Sequence, residues 1–327
     1  MIISQTPLRM SFAGGGSDLP AFYRKYGGAV VSTAIDKFIY VGVNRKFDRS
    51  IRISYSKTEE VATVDQIEHQ LVREALRMLS IAGGIEITSI ADIPSRGTGL
   101  GSSSSFSVGL LHALHAWRSE YVSRETLGDE SCRLELERCG QRIGKQDQYA
   151  AAYGGFNFIE FHQDDTVSVS PVICEVAMVE ELNRWLMMFY TGLTRSASAI
   201  LDNQTTAMEN DGAKQEIVVS MVRLAHQLRD ELHRNRLQSF GDILHENWVL
   251  KKRLSNDISS SVIDDVYDAA REQGATGGKL LGAGAGGFLV FFVPPHRQAA
   301  VREALSGLRE VPFRFERRGS RITLFQS

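Results

Sequence analysis

The sequence predicts an α+β protein in two domains, residues 1–180 and 181–327. Three observations predict it. The chain has 327 residues, which suggests two domains and leaves one large domain as the alternative. Stretches of two-residue apolar alternation are mixed with stretches of helical spacing in both halves. Between about 172 and 184 the pattern allows a boundary, and Trp185-Leu-Met-Met-Phe-Tyr190 then opens the second half as a buried strand.

The elements follow in order. Residues 2–6 form a short strand ending at Pro7. Three consecutive glycines, Gly14 to Gly16, suit neither a strand nor a helix interior and mark a turn leading to Ser17 and Asp18. A short helix at 19–26 stops at Gly27-Gly28, and two strands follow at 29–36 and 38–43. Ile51 to Tyr55 alternates as a half-buried strand, and 64–80 carries a helical period. The strand Gly84–Ala91 leads into Pro94-Ser-Arg-Gly-Thr-Gly-Leu-Gly-Ser-Ser-Ser-Ser105, and an apolar helix leads out to about Tyr121. A charged helix spans 124–142, and a short alanine helix follows Gly144-Lys-Gln-Asp-Gln. Residues 156–161 and 167–171 read as a hairpin. The second half adds helices at about 197–209, 213–234, 239–253 and 259–273. After them come the glycine-rich run 274–287, the strand 288–293, a helix at 295–308 and a strand pair within 311–326.

Composition narrows the function. The formal net charge is -2 with no long basic block, so no nucleic-acid partner is expected. No apolar run approaches the roughly 20 residues of a membrane span, and the N-terminus lacks the pattern of a signal peptide. The three cysteines, Cys132, Cys139 and Cys174, lack metal-ligand spacing and read as reduced thiols, which fits the cytoplasm.

The glycine-rich segments carry the chemistry. Gly97, Gly99 and Gly101 let the backbone turn sharply, and the serines that follow sit where a helix begins, so free amides and the helix dipole make an anion site. A nucleotide phosphate fits it; a turn that merely caps a buried helix fits equally on local residues alone. Gly282, Gly284 and Gly287 match G-x-G-x-x-G, but they precede a strand, which excludes a dinucleotide fold. The 97–105 loop lacks the lysine of a P-loop, and no G-x-S-x-G elbow is present. Three separated glycine loops and Asp147 in a polar turn are the set a phosphotransferase needs, because phosphoryl transfer is mostly positioning and charge neutralisation.

Taken together and in order, three segments resemble the motifs of the GHMP kinase superfamily: Pro7-Leu-Arg9 through Gly14-Gly-Gly-Ser-Asp18, Pro94-x-x-x-x-Gly99-Leu-Gly-Ser-Ser103, and Lys279-Leu-Leu-Gly-Ala-Gly-Ala-Gly-Gly287. The resemblance covers nearly the whole chain. It implies an α+β N-terminal domain that binds ATP, a ferredoxin-like C-terminal domain, and an active site in the cleft between them. It implies ATP and Mg²⁺ as cofactors. Pro94, Gly97, Gly99, Leu100, Gly101, Ser102, Ser103 and Ser104 would surround the ATP phosphates. Ser103 would hold the metal, with Ser102 and Ser104 as neighbours that could be confused with it. Glu137 would be the acidic metal ligand, with Glu135 its rival. Asp147 would be the catalytic carboxylate, removing the proton of the acceptor hydroxyl or orienting it, and Arg9 would lie beside it. Gly14, Gly15, Gly16, Ser17 and Asp18 would face the sugar, and Gly284 would close the site from the second domain. Lys279 is a candidate phosphate contact.

Arg9-Met-Ser-Phe-Ala-Gly-Gly-Gly-Ser-Asp-Leu19 and Gly144-Lys-Gln-Asp-Gln-Tyr-Ala-Ala-Ala-Tyr-Gly-Gly-Phe-Asn-Phe158 resemble the D-glycero-D-manno-heptose 7-phosphate kinases and the kinase part of L-fucokinases. The implied reaction is phosphorylation of an anomeric sugar hydroxyl, with Arg195, Lys145 and Arg24 as candidate cations for a substrate phosphate. The alternatives are a sugar 1-kinase acting on an unphosphorylated sugar and a non-catalytic sensor of sugar and nucleotide. Expected partners are the sugar and ATP, with no nucleic acid and no membrane, in a monomer or homodimer.

Overall fold

The computed structural model describes residues 1–94, 97–193, 202–203, 205–206, 208–209 and 211–326. Two β-sheets organise it. In chain order the first half runs β1 (Ile2–Ala13), α1 (Pro20–Tyr26), β2 (Gly28–Arg45), β3 (Ile51–Ser54), β4 (Thr58–Val61), α2 (Gln70–Met78), β5 (Ile85–Ala91), α3 (Ser102–Trp117), α4 (Arg124–Cys132), a π turn (Arg133–Arg138), α5 (Gln146–Tyr153), β6 (Phe156–Phe161) and β7 (Val167–Pro171). The second half runs α6 (Val176–Trp185), β8 (Leu186–Tyr190), α7 (Gly212–His233), α8 (Phe240–Lys252), α9 (Ser261–Glu272), β9 (Gly277–Leu280), β10 (Phe288–Phe292), α10 (Gln298–Ala304), β11 (Arg309–Glu310) and β12 (Arg321–Phe325).

The larger sheet is built on β2, which pairs antiparallel with β1 along one edge. Along its other edge the first residues of β2 pair with β6 and the last with β5. Two expected strands are therefore one, and β1 runs on past Pro7 to Ala13. The β1–β2 register shifts between Pro7 and Leu8, where proline offers no ladder donor. Leu8, Met10 and Phe12 are fully buried on β1. Helix α3 is enclosed almost all round and packs on β1 and β2 and against α4 and α5. Its apolar residues pack on the sheet, and its N-terminus lies over the middle of β1, at Pro7 and Arg9.

The smaller sheet has the order β11-β8-β10-β9, all antiparallel. Strand, helices, two strands, helix and strand in that spatial order make the ferredoxin-like connectivity the resemblance implied. The expected strand pair at 311–326 does not form. β11 joins the smaller sheet through β8, whereas β12 returns to the larger one beside β1. The last strand thus lies in the sheet built by the first half. The helix expected at 197–209 falls largely outside the described residues. No helix among the described residues is long and apolar enough to cross a membrane.

Candidate functional site

Arg9 and Asp147 lie 138 positions apart in sequence and meet as a bidentate ion pair. Arg9 Nε donates to Asp147 Oδ1 at 2.7 Å and Nη2 donates to Oδ2 at 2.7 Å. The remaining Nη1 donates to the Gly99 carbonyl at 2.6 Å, and the Arg9 backbone N–H donates to the Leu100 carbonyl at 3.1 Å. Arg9 is almost wholly buried on β1, while the Asp147 side chain, in the first turn of α5, keeps 24% exposure. A fork-to-fork pair of this kind fixes the carboxylate plane, so Asp147 presents a defined edge to solvent.

The 97–101 loop closes over this pair. A side chain at Gly101 would come within 3.2 Å of both Arg9 Cγ and Asp147 Oδ2. Gly101 also takes φ +73°, a left-handed conformation that glycine adopts without strain, and from there α3 begins. Leu100 buries its side chain completely, so it can offer a ligand only backbone. Pro94 is exposed at the mouth of the loop. The serines divide their work. Ser102 shares a hydrogen bond of 3.2 Å with Thr98, and Ser105 donates to the Pro7 carbonyl at 2.9 Å. Ser103 alone of the four is exposed, and its Oγ donates to Glu135 Oε1 at 3.1 Å. Ser104 donates to Glu135 Oε2 at 2.7 Å and Gln148 Nε2 to the same oxygen at 2.6 Å.

The acid at the serines is therefore Glu135, and the expectation for Glu137 is corrected. Glu137 is exposed on the outer face, whereas Glu135 is fully buried. The cause is the π turn, in which the Cys139 N–H reaches back five residues to the Leu134 carbonyl at 3.0 Å. The wider turn moves Glu135 onto the face that meets α3. Burial pushes the Glu135 carboxyl up, against the pull of the hydrogen bonds from Ser104, Gln148, Ser107 and Ser103.

The 281–287 loop packs backbone to backbone on the 97–101 loop. A side chain at Gly99 would sit 2.1 Å from the Leu281 carbonyl oxygen, and one at Gly282 would sit 2.3 Å from Gly99 Cα. These glycines are required by contact, and they join the second and third motifs. Gly284 does something else: a side chain there would meet the Ile258 backbone at 2.9 Å, so its place is in the packing of the second domain. Lys279 is corrected as well. It is 1% exposed, and its Nζ donates to the Ser11 carbonyl at 2.8 Å, so it ties the small sheet to β1 and is closed to a phosphate.

The first glycine turn is folded inward. Ser17 is fully buried, donates to the carbonyl of Gly14 or Ala29 and accepts from the Ala29 N–H at 3.0 Å, which overturns its expected contact with a sugar. Asp18 accepts from the Gly16 N–H at 3.0 Å and from Gln146 Nε2 at 3.0 Å, pinning the start of α5 to the turn. Burial first, and the nearby Asp147 charge second, raise its carboxyl above the ordinary range. Gly14 fits tightly against the Ala29 carbonyl, while positions Gly15 and Gly16 face open space. Lys145 and Arg24 both contact Asp165, and Arg195 lies outside the described residues.

Two residues of α8 join the site without any sequence expectation. Asn247 Oδ1 accepts from the Gly14 N–H at 3.1 Å, and Lys251 Nζ donates to the Gly282 carbonyl. Burial, then the Arg9 charge, push the Lys251 ammonium down to about 8, with Asp18 and Asp147 pulling the other way.

Comparison with known proteins gives the family. The family described as GHMP kinases N terminal domain matches residues 66–155, and GHMP kinases C terminal matches 228–308. The chain is 30% identical over 320 residues to a D-glycero-alpha-D-manno-heptose 7-phosphate kinase of Campylobacter jejuni, covering 93% of each chain. It is 27% identical over 346 residues to an L-fucokinase/L-fucose-1-P guanylyltransferase of Bacteroides fragilis, with 92% of this chain and 35% of that protein covered. A crystal structure described as a D-glycero-D-manno-heptose 1-phosphate kinase from Bacteriodes thetaiotaomicron superposes with a TM-score of 0.82 at 28% identity, covering 100% of both chains.

Proposed function

The chain belongs to the GHMP kinase family, and on that premise we propose that it transfers the γ-phosphoryl group of ATP to the anomeric hydroxyl of D-glycero-D-manno-heptose 7-phosphate, giving the 1,7-bisphosphate. It is a sugar kinase of that family; the heptose and its 7-phosphate are the proposed refinement. The observation that carries the reading is the Arg9–Asp147 pair lying against a glycine loop that opens α3 at Ser103 and Glu135.

The geometry supports a division of labour. Free amides at the start of α3 and along the 97–101 backbone receive the ATP phosphates. Asp147 takes the hydrogen bond of the attacking hydroxyl, and Arg9 fixes its carboxylate so that the oxygen is aimed before the substrate arrives. Ser103 and Glu135 would hold Mg²⁺. The fit rests on chemistry: a fully buried carboxylate, without an ion pair among the described residues, stands beside an exposed hydroxyl, and both are hard oxygen donors. When bound, the ion neutralises phosphate charge.

The test is ADP release with a panel of sugars. Turnover with heptose 7-phosphate, and none with fucose, galactose or mannose, is the expected result. Turnover with fucose instead would favour the second reading, a fucokinase-like enzyme, to which the likeness to the Bacteroides fragilis protein points. No turnover with any sugar would sink the kinase reading.

A further inference from the structure

Buried polar groups usually find partners, and those left without one are informative. Two lie around the Gly14–Asp18 turn, and a third group near them, Lys251, is only partly satisfied. Asn247 Nδ2 is fully buried and unpartnered; its Oδ1 is committed to the Gly14 N–H, which fixes the amide's orientation. Gln146 Oε1 is unpartnered, its Nε2 being committed to Asp18. Lys251 is only 5% exposed, yet of its three N–H donors one is used, on the Gly282 carbonyl, and among the described residues it makes no ion pair.

The placement of Lys251 is specific. It stands one helical turn after Asn247, so the same face of α8 holds both the Gly14 turn and the 281–287 loop. Gly282 packs on Gly99, and the Gly99 carbonyl accepts from Arg9. Lys251 is thus connected to the Arg9–Asp147 pair through two backbone links. Leaving an ammonium buried with two unused donors costs far more than a methionine of the same length would. A latch to one carbonyl does not need the charge. An acceptor-rich ligand beside Asp147 does, and a sugar offers several oxygens that accept and several hydroxyls that could donate to Gln146.

We propose that Lys251 is a substrate-binding residue, donating its two unused N–H groups to oxygens of the acceptor sugar next to the hydroxyl held by Asp147, with Asn247 holding α8 in place for it. This rests on the sugar-kinase reading and assigns the second domain a direct contact with the sugar.

The test compares wild type, K251M and K251Q in steady-state kinetics, together with ADP affinity by direct titration as a measure of intact folding. The sugar is heptose 7-phosphate, or whichever sugar of the panel the wild type turns over. In both variants the sugar KM rises by roughly ten- to a hundredfold, the size of a lost hydrogen bond to a charged group, while ADP affinity stays within about twofold. A sugar KM unchanged in the variants overturns the proposal, and so does a loss of ADP affinity in step with it, which would mark a structural latch. Wild type active on fucose but not on heptose 7-phosphate refutes only the heptose reading. Wild type inactive on every sugar refutes both.

Discussion

Gly14–Asp18 and Gly97–Ser105 are written in nearly the same residues, and they use their polar groups in opposite ways. In the first, the Ser17 hydroxyl and both Asp18 oxygens are spent on the turn itself and on the start of α5. In the second, the chain turns at three glycines and leaves Ser103 exposed at the head of a helix. The difference comes from what surrounds each. Gly14, Ser17 and Asp18 of the first turn are wedged between Ala29, Asn247 and α5, so their polar atoms bond to protein, while Gly15 and Gly16 face open space. The second ends at a helix N-terminus, where amides have no intrahelical partners. On the proposed reading the first segment is largely scaffold and the second is offered to a ligand.

The two segments meet at Asp147, and its replacement should give the largest effect. Asp147→Asn keeps the size of the side chain and removes the charge that Arg9 fixes. Turnover is expected to fall by roughly 10²–10⁴-fold, with ADP affinity close to wild type. Near-normal turnover would remove Asp147 from the mechanism and dissolve the idea that the two loops converge on it.

The next effect concerns the ligand-facing segment. Glu135→Gln should lower activity by roughly a hundredfold, with part of the loss recovered at raised Mg²⁺. Glu137→Gln, on the exposed face of the π turn, should match wild type. The reverse outcome would return the metal ligand to the position expected from spacing.

That reversal shows where the sequence was readable. The buried strand β10 and the helices α7 to α9 follow their apolar periods, and the three glycine motifs are distinctive enough that their convergence could be foreseen. Which side chains face inward could not. The family resemblance offers both Glu137 and Glu135, and the π turn, which no local residue announces, decides which of them faces α3. Lys279 reads as an exposed lysine because nothing local says that β9 is covered by β1. Lys251 lies in Leu250-Lys-Lys-Arg253, which reads as a solvated charged face, yet one lysine points into the site and the next reaches Asp264 at 2.9 Å. Ser17 beside three glycines looks like Ser103 beside three glycines. Only tertiary packing separates them.

A paired substitution tests that separation. Ser17→Ala leaves the Ala29 N–H buried without its acceptor, so it should destabilise the fold by about 1–3 kcal/mol while KM for the sugar stays near wild type. Ser103→Ala should do the opposite, leaving the melting temperature unchanged and reducing activity by roughly tenfold. A Ser17→Ala enzyme of normal stability and poor sugar affinity would mean that the first turn also serves the ligand.

Lys251 touches both regimes, one donor spent on Gly282 and two unspent, and its titration gives the smallest and most particular effect. Its ammonium is pushed down to about 8 by burial and the Arg9 charge, against an ordinary value of 10.5. Arg9, Asp18, Asp147 and Lys279 are the charged groups facing it. Between pH 8 and 10.5 the unfolded chain holds a proton on this lysine that the folded chain has released. A state that binds more protons when unfolded gains folding stability as pH rises. The lysine therefore costs most below pH 8, where its charge must be buried, and the cost fades across that window. Lys251→Met removes the titration. Denaturant midpoints of wild type and variant, measured across this range, should differ by a constant below pH 8 and then shift steadily in favour of wild type. Parallel curves would mean that the lysine titrates in the folded protein as it does in the unfolded chain, and a buried charge would no longer argue for a ligand beside Asp147.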